Sequence, residues 1–473
     1  MVRLLAILAL GIGAVLPAST PDPDVETTIA VELPASGAPG VAYAVVTDGE
    51  VSAGGAEGER LAGSGEALTA QTPFVIGSIS KSFTALAIMQ LVEAGEIDLD
   101  APFSDYLTDF ADGPAAGITV RQLLSHTSGY STLQGNASHD GSDDTEALAQ
   151  VVDGLVDLDP AYAPDERWEY SNTNYQIAGR MLEVVSGQEY QSYIAEHILE
   201  PVGMADSFVA DGAAHDEMAI GHRPWFFGSL PADTHTDRAT APQGGVVSTA
   251  DDLALYLQTM MNGEDDVLSA EGKALMMRPA SPASPWYGLG WFIDTANGTV
   301  WHSGATPGIE TLATMVPSQA DAVVVFVNRG SGMGFGETVQ LRNAVTAAGL
   351  DREYAGEGSR WGQQLLFIGL ALLPLFYLAA IVWAWLHRRQ IRAKSGVAGQ
   401  FSLWFPLLTT IIAAWVMLSL VPDMIGAPIG TILLFQPDLG LVLIAGAVLG
   451  VVWSTFRLVV AFTGRRTSTP TEG

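Results

Sequence analysis

A serine and a lysine three positions apart are the first residues of this chain that could do chemistry together. Ser78 and Lys81 lie in the stretch FVIGSISKSFTALAIMQLVEAG, and the chain has only two other lysines, Lys273 and Lys394. Positions i and i+3 of a helix share a face, so the lysine nitrogen can reach the serine oxygen. A serine becomes a good nucleophile when a base takes its proton, and a lysine whose pKa is lowered by burial can be that base. In isolation, a capping serine followed by a solvated lysine is the commoner explanation of this pattern.

A second motif, WEYSNTNY, offers a phenol and an amide. Tyr170 and Asn172 stand two residues apart and therefore face the same way in an extended segment. A phenol beside an amine can shuttle protons, while the amide can hold the lysine and donate to a substrate carbonyl. Taken alone, the stretch is ordinary turn chemistry, since Ser, Asn and Thr favour loops.

A third motif, HSGATPG, begins at His302 on the second strand of a predicted hairpin. Gly304 lets the backbone of a substrate approach closely, because glycine has no side chain. The backbone N–H of Ala305 can then complete an oxyanion hole with the N–H of Ser78.

The three motifs in this order are much more specific than any one of them. The order S-x-x-K, Y-x-N and then H-x-G in place of K-T-G resembles the penicillin-recognising serine hydrolases of the β-lactamase and penicillin-binding-protein superfamily, which include class C β-lactamases, D-Ala-D-Ala carboxypeptidases and related esterases. The stretches VRQLLSHTSGY, GGVVSTADDLALY and YGLGWF add to the resemblance, which covers about residues 35 to 350. It implies an α+β fold, with an antiparallel sheet flanked by helices and an all-α subdomain.

The resemblance also implies an acyl-enzyme route and a role for each motif residue. Ser78 attacks a carbonyl, and Lys81 and Tyr170 share the acid–base work. The resemblance assigns substrate binding to Asn172, His302, Gly304 and Ala305. No metal and no cofactor are needed.

One departure from the family pattern bears on the substrate. The lysine of K-T-G places a fixed positive charge near the carboxylate of a β-lactam, whereas His302 has a reference pKa near 6.5 and is mostly uncharged at neutral pH. Esters, amides or D-amino peptides with less anionic ends are therefore favoured over β-lactams. If His302 replaces the lysine only in part, anionic substrates should bind better below about pH 6.5.

The elements that must position these residues follow a strand–helix–strand order. Alternating and β-branched runs predict strands near both ends of this region, and an Asn297-Gly298 turn predicts a hairpin. Helical patterns fill the middle, so one sheet must be assembled from distant segments and carry a helical insertion. The predicted strands begin at Val41, Gly288, Glu310 and Ala322, and the predicted helices cover 81–94, 119–124, 174–186, 191–197, 250–261 and 337–350.

Charge divides the 473-residue chain into two parts. Of its 52 acidic and 21 basic residues, 49 and 14 respectively precede Trp361, which gives that part a net charge of −35. Such an acidic surface repels the phosphates of nucleic acid and argues against it as a partner. The absence of cysteine excludes disulfides, thiolate metal sites and a cysteine nucleophile. His215, His222 and His235 lack the spacing of a zinc site.

Both ends of the chain carry apolar segments. Residues 1–18 read as a signal peptide, although Leu16 is unfavourable near a cleavage site at Ala18 and an uncleaved anchor is the alternative. Residues 361–473 read as a transmembrane domain with three spans, at about 363–386, 401–421 and 439–462. Arg457 lies close enough to the end of the third span to snorkel.

The charges around the spans predict the topology. The loop 387–400 is basic and is expected to stay in the cytoplasm, and Arg465 and Arg466 fall on the same side after two more crossings. The ectodomain, residues 25–355, then faces outward from the cell membrane.

The sequence therefore predicts a multi-pass, membrane-anchored serine hydrolase acting on a small-molecule or peptide acyl substrate, with lipid contacts through the three C-terminal helices. Two alternatives stay open. One is a true β-lactamase. The other is an acylated or ligand-binding sensor or scaffold without turnover, although the short cytoplasmic segments leave no room for an output domain. The sequence identifies no protein partner.

Overall fold

The computed structural model describes residues 24–137, 144–232 and 237–463. The chain forms two compact units, one that ends at Gly358 and one that begins at Ser359. The predicted signal peptide, His235, Arg465 and Arg466 lie outside the described residues.

The N-terminal unit is built on a six-stranded antiparallel sheet with the strand order β2-β1-β11-β10-β9-β8. A second sheet has the order β3-β7-β4, and β5 and β6 form a hairpin. The strands in the described part of the chain are β1 (Gly40–Thr47), β2 (Glu50–Gly58), β3 (Phe74–Val75), β4 (Phe208–Val209), β5 (His222–Trp225), β6 (Gly228–Pro231), β7 (Val246–Ser248), β8 (Phe292–Asp294), β9 (Thr299–Thr306), β10 (Ile309–Val316) and β11 (Asp321–Val327).

Helices account for most of the rest of this unit. They are α1 (Val25–Ser36), α2 (Ser80–Glu93), α3 (Val120–Leu124), α4 (Thr132–Gly135), α5 (Ala147–Asp153), α6 (Asn172–Ser186), α7 (Tyr190–Ile194), α8 (Glu200–Val202), α9 (Ala241–Gly244), α10 (Ala250–Met261), α11 (Ala270–Met276) and α12 (Thr338–Gly349).

The central strands β1 and β11 are buried on both faces. On β1, Ala42 and Ala44 face the main core, while Val41 and Tyr43 face a second core packed against α1 and α12. Side chains alternate between the two faces of a strand, so a continuous apolar run is what a sheet covered on both sides requires. This is why GVAYAVVT and DAVVVFV read as strands in the sequence.

Helix α2 is the centre of the main core. Every residue from Ser80 to Met89 is buried, which is typical of a helix that is surrounded by protein on all sides. Because α2 cannot move without disturbing that core, the residues at its start are held in a fixed position.

The C-terminal unit consists of helices. They are α13 (Trp361–Leu386), α14 (Arg388–Arg392), α15 (Gly396–Trp415), α16 (Val421–Ile425), α17 (Ile429–Phe435) and α18 (Pro437–Phe462). Three helical segments in the described residues are long and apolar enough to cross a membrane, namely Trp361–Leu386, Gly396–Ile425 and Pro437–Phe462. The predicted α+β fold and the predicted C-terminal helices are thus confirmed, while the topology of the helices stays a prediction.

Candidate active site

Ser78 lies on a tight turn between β3 and α2. A 3₁₀ turn, Gly77–Ile79, connects the two, and α2 begins at Ser80. Gly77 has a φ of +57°, and a Cβ at this position would lie 2.8 Å from the backbone nitrogen of Ala305. Both facts favour glycine, which has no Cβ. Ser78 itself is only partly buried, so it can be reached from solvent.

Lys81 is completely buried, and its amine contacts three oxygen atoms. Its Nζ lies 3.0 Å from Ser78 Oγ, 2.8 Å from Asn172 Oδ1 and 2.7 Å from the carbonyl oxygen of Gln243. None of these three partners is a carboxylate, so no negative charge offsets the hydration that an ammonium group loses on burial. Burial therefore lowers the pKa of Lys81 well below its ordinary value.

The segment that carries Tyr170 leads directly into α6, which begins at Asn172. The loop that contains His126 holds this segment in place, because His126 Nδ1 accepts a hydrogen bond from the backbone nitrogen of Ser171 at 3.2 Å. A second contact holds the same segment, since Thr132 Oγ1 donates a hydrogen bond to the backbone carbonyl of Tyr170 at 2.7 Å. His126 has a φ of +60°, which is uncommon for a residue other than glycine and fits a residue held by its surroundings.

The ring of Tyr170 lies beside the lysine. The distance from Lys81 Nζ to the ring centroid is 4.8 Å. Burial raises the pKa of the Tyr170 phenol, and the nearby Ser78 hydroxyl counteracts part of that rise. The phenol oxygen is buried and forms no hydrogen bond of normal geometry within the described residues. It can therefore form one with a group that gives it a proton or takes one from it.

The far wall of the site is the end of β9. Strand β8 pairs with β9 only from Thr299 to Trp301. The later residues of β9 therefore pair with β10 alone. A Cβ at Gly304 would lie 1.9 Å from the carbonyl oxygen of Ile76, just before the Ser78 turn. Only glycine allows that approach. It brings the backbone of Ala305 beside the turn that carries Ser78.

His302 belongs to β9, and its side chain is buried and uncharged. Its Nδ1 lies 2.7 Å from the carbonyl oxygen of Ser303 and therefore carries the proton, since a carbonyl can only accept. Its Nε2 then accepts from the hydroxyl of Tyr287 at 3.1 Å. Burial, together with the charge of Lys81, lowers the pKa of His302 to about 3. The reference value near 6.5, on which the sequence-based pH expectation rests, is therefore too high for this histidine.

The sequence matches the beta-lactamase family over residues 26–348, more than half of the chain. The chain belongs to the beta-lactamase family. This places its N-terminal unit among serine hydrolases, and the resemblance inferred from the motifs is confirmed.

Named relatives of this beta-lactamase-family chain agree with that assignment. It is 31% identical over 324 residues to "Penicillin-binding protein 4" of Amycolatopsis lactamdurans, which covers 63% of this chain and 82% of the relative. Among solved structures, the octameric penicillin-binding protein homologue of Pyrococcus abyssi has 27% identity and a TM-score of 0.59, covering 69% of this chain and 76% of the other. A D-stereospecific amidohydrolase from Streptomyces has 26% identity and a TM-score of 0.56, covering 69% of this chain and 98% of the other.

Two residues of this beta-lactamase-family site escaped the motif analysis. Asn136 at the end of α4 accepts a hydrogen bond from Asn172 Nδ2 at 3.1 Å, and Gln243 contributes its backbone carbonyl to Lys81. Asn136 has no sequence signal, because it lies in a turn 36 positions before its partner. Gln243 directly precedes the recognised stretch GGVVSTADDLALY, but a contact made by a backbone carbonyl leaves no mark on the residue type.

Three tryptophans lie near the HSGATPG motif in the sequence, Trp286, Trp291 and Trp301, and they have different environments. Trp291 is fully buried in the main core. Trp301 stacks on Phe292, with 4.5 Å between the ring centroids. Trp286 is exposed over 47% of its surface, and its ring lies 6.2 Å from that of Trp168. Trp286 is therefore the most exposed of the three.

Proposed function

We propose that this chain is a membrane-anchored, extracytoplasmic serine hydrolase that cleaves esters, amides or D-amino peptides through an acyl-enzyme on Ser78. The observation that carries the proposal is the set of atoms around Lys81. A neutral amine has two N–H groups and one lone pair. The two nearest oxygens, Asn172 Oδ1 and the Gln243 carbonyl, can only accept, so they take both N–H groups. The lone pair is left for the proton of Ser78 Oγ.

The reaction then follows from the positions of these groups. Ser78 Oγ attacks the substrate carbonyl and gives its proton to Lys81 Nζ. The backbone N–H groups of Ser78 and Ala305 hold the oxyanion of the tetrahedral intermediate. Tyr170, next to both Ser78 and Lys81, passes the proton to the leaving group as the bond to it breaks. In the second half, water gives a proton to the same pair of residues, attacks the ester and releases the acid, and Ser78 regains its proton.

The substrate class follows from charge. His302 is neutral above about pH 3, so it offers no fixed positive charge to a substrate carboxylate. Substrates with neutral groups beside the scissile carbonyl are therefore favoured. The similarity to a D-stereospecific amidohydrolase and to a penicillin-binding protein supports D-configured acyl donors as one class to test.

The decisive experiment follows hydrolysis of 4-nitrophenyl butyrate by the full chain in detergent, beside the Ser78→Ala and Ser82→Ala variants. Ser82 is the matched control, because its buried hydroxyl bonds to the carbonyl of Ile79 on the same helix. We expect Ser78→Ala to lose both turnover and the butyryl adduct in intact-protein mass spectrometry, and Ser82→Ala to keep both. A stable adduct without turnover would indicate a sensor, and equal turnover in both variants would exclude Ser78 as the nucleophile.

The orientation needs its own test. The proposal places the basic loop 387–400 in the cytoplasm, following the usual bias of positive charge. A tag inserted at Ser395 should be inaccessible to a membrane-impermeant reagent in intact cells and accessible after lysis. Labelling of Ser395 in intact cells would reverse the orientation.

A further inference from the structure

A hairpin of the N-terminal unit ends in aromatic residues. The pairing of Trp225 with Gly228 joins β5 and β6 through a two-residue turn, Phe226 and Phe227. Phe227 is exposed over 81% of its surface, more than any other large apolar side chain that the structure describes in this unit. Its ring contacts that of Phe335, with 4.7 Å between the centroids. We call Trp225, Phe226, Phe227 and Phe335 the aromatic tip.

The hairpin does not need aromatic residues in order to turn. Phe226 has a φ of +48°, which bulky residues rarely adopt, and two-residue turns favour Gly, Asn or Asp at such a position. The turn is nevertheless held in place, because Arg329 donates to the carbonyl of Gly228 at 3.0 Å and also to the carbonyl of Gly37. Strain that the surroundings maintain is concentrated at functional segments, so the exposed rings point to contact with another surface.

The two segments that form the tip contain no acidic residue. Acidic residues make up 49 of the first 360 residues, yet neither the hairpin, 222–231, nor the segment 329–336 contains one. Each segment does contain an arginine, Arg223 or Arg329. Membrane surfaces are commonly negative and repel carboxylates. This part of a strongly acidic unit is therefore suited to approach a lipid surface.

The chain also leads from the tip's end of α12 to the first apolar helix. Phe335 lies three residues before α12 begins. Beyond α12 the chain returns to the same end, because the backbone N–H of Glu357 donates to Gln340 Oε1, in the first turn of the helix, at 2.8 Å. Four residues later Trp361 begins α13, and four extended residues span at most about 14 Å. A membrane entered by α13 therefore begins a short distance along the chain from this end of α12.

We propose that the aromatic tip inserts into the headgroup region of the membrane that the chain spans. The proposal rests on the membrane anchoring and orientation proposed above. Tryptophan and phenylalanine favour the boundary between headgroups and acyl chains, where an apolar ring leaves water while neighbouring polar groups stay hydrated. A lipid surface is favoured over a second copy of the chain, because the short connection between Glu357 and Trp361 keeps lipid within reach at any protein concentration.

The test uses the full chain in vesicles of equal parts dioleoyl phosphatidylglycerol and dioleoyl phosphatidylcholine. The chain has no cysteine, so Phe227→Cys allows one nitrobenzoxadiazole fluorophore to be attached at the tip. The matched control is Val184→Cys on α6, because Val184 is an apolar residue 46% exposed elsewhere on the same unit. We expect lipids that carry a nitroxide near the headgroup to quench the label at 227 at least about threefold more than the label at 184. Iodide in the water should show the reverse order.

Equal quenching by the nitroxide lipids at the two positions would overturn the proposal. So would shielding of position 227 from iodide that increases with the ratio of protein to lipid, because a second copy of the chain would then cover the tip. Circular dichroism checks the fold of each variant. Gly228→Cys replaces Phe227→Cys if the latter fails to fold, because a Cβ at Gly228 lies 3.8 Å from its nearest neighbour, the carbonyl oxygen of Trp225.

Two measurements on the wild-type chain separate this proposal from the proposed function. Flotation with the vesicles tests the anchoring, and hydrolysis of 4-nitrophenyl butyrate tests the enzyme. A chain that floats and hydrolyses the ester, but whose label at 227 is quenched by iodide alone, contradicts the tip contact and leaves the proposed function intact. A chain that does not float with the vesicles overturns the anchoring, and the tip contact with it.

Discussion

The N-terminal unit contains two fully buried lysines, and their partners differ in one respect. Lys81 contacts a hydroxyl, an amide oxygen and a backbone carbonyl. Lys273 contacts a backbone carbonyl, an amide oxygen and also the carboxylate of Asp266, at 2.8 Å. Lys273 thus forms an ion pair, whereas Lys81 is buried among neutral groups. A buried lysine without a carboxylate is disposed to lose its proton, and this distinguishes a possible base from a structural cation.

The two lysines also differ in what lies around them. Lys81 stands at the start of the most deeply buried helix, beside a serine that solvent can reach. Lys273 connects α11 to the end of α10 through Thr259 and Asn262. The first arrangement can transfer a proton to and from a substrate, and the second fixes two helices together. Substitutions can therefore separate the two roles.

The largest effect should come from Lys81→Met, which keeps the length and apolar character of the side chain but removes the amine. We expect kcat/KM for 4-nitrophenyl butyrate to fall by about 10⁴-fold, because Ser78 loses its base. The variant should remain folded, since a buried amine among neutral groups is replaced by an apolar side chain. Turnover within tenfold of the wild type would exclude Lys81 as the base.

A smaller loss should follow from giving Lys81 the carboxylate that Lys273 has. Asn172→Asp places a carboxylate oxygen where the Asn172 Oδ1 now lies, 2.8 Å from Nζ. The negative charge stabilises the ammonium form, raises the pKa of Lys81 and leaves less free base at neutral pH. We expect kcat/KM at pH 7 to fall by about 10²-fold and to recover in part as the pH rises towards 9.

Asn172→Ala is the control for that variant, because it removes the same amide without adding a charge. Its activity should be reduced, but the acid limb of its pH–rate profile should not move to higher pH. If Asn172→Asp and Asn172→Ala share one profile, the titration of Lys81 does not limit the reaction.

Lys273→Met tests the structural role and should change stability rather than activity. Removing the ammonium leaves the Asp266 carboxylate without its cation. Because Asp266 is 32% exposed, water offsets part of the loss. We expect the free energy of unfolding, measured with urea, to fall by about 2 kcal/mol. The kcat/KM value at a temperature where the protein is folded should change by less than about threefold. Asp266→Asn should destabilise the fold in the same direction, and a loss of activity without a loss of stability would contradict the assignment.

The smallest effect concerns pH and His302. Because its folded pKa is about 3, His302 stays neutral across the range of an ordinary assay. The ratio of KM values for 4-nitrophenyl butyrate and its anionic analogue 4-nitrophenyl glutarate should therefore vary by less than about twofold between pH 5 and pH 8. A marked improvement in binding of the anionic ester below about pH 6.5 would show that His302 is protonated there.

The pH dependence of the free energy of unfolding provides a second test of the pKa of His302. The folded pKa of His302 lies below the value near 6.5 of an unfolded chain, so the unfolded state binds the proton first as the pH falls. The contribution of neutral, buried His302 to the free energy of unfolding is therefore complete above about pH 6.5. It decreases as the pH falls towards 3, by at most about 1.4 kcal/mol per pH unit. His302→Gln should lack this part of the decrease, and an unchanged pH dependence in that variant would contradict the burial argument.

The elements that could be predicted best from the sequence are those whose buried faces impose a regular spacing of apolar residues. Strands β1, β10 and β11 and helix α10 lie close to their predicted positions, because their buried faces require apolar residues at fixed spacing. Helix α1, which contains Pro34, was not predicted. Nor was β2, which is made of Gly, Ala, Ser, Val and Glu and has no strand composition. It forms a strand because it pairs with β1 along its whole length, and that contact is not visible in the residues of β2 themselves.

The sequence by itself determined the residue types that can carry the chemistry, their order along the chain, the acidic and apolar parts, and three long apolar helices. Only the tertiary structure decided the charge states. Lys81 is buried beside Asn172 and Gln243, which lie 91 and 162 positions away. His302 is closed in by Tyr287 and by the packing around it. Arg457 is buried against Ser402 from another helix. A pKa or a charge balance depends on every atom within a few ångströms, and those atoms come from segments that are distant in the sequence.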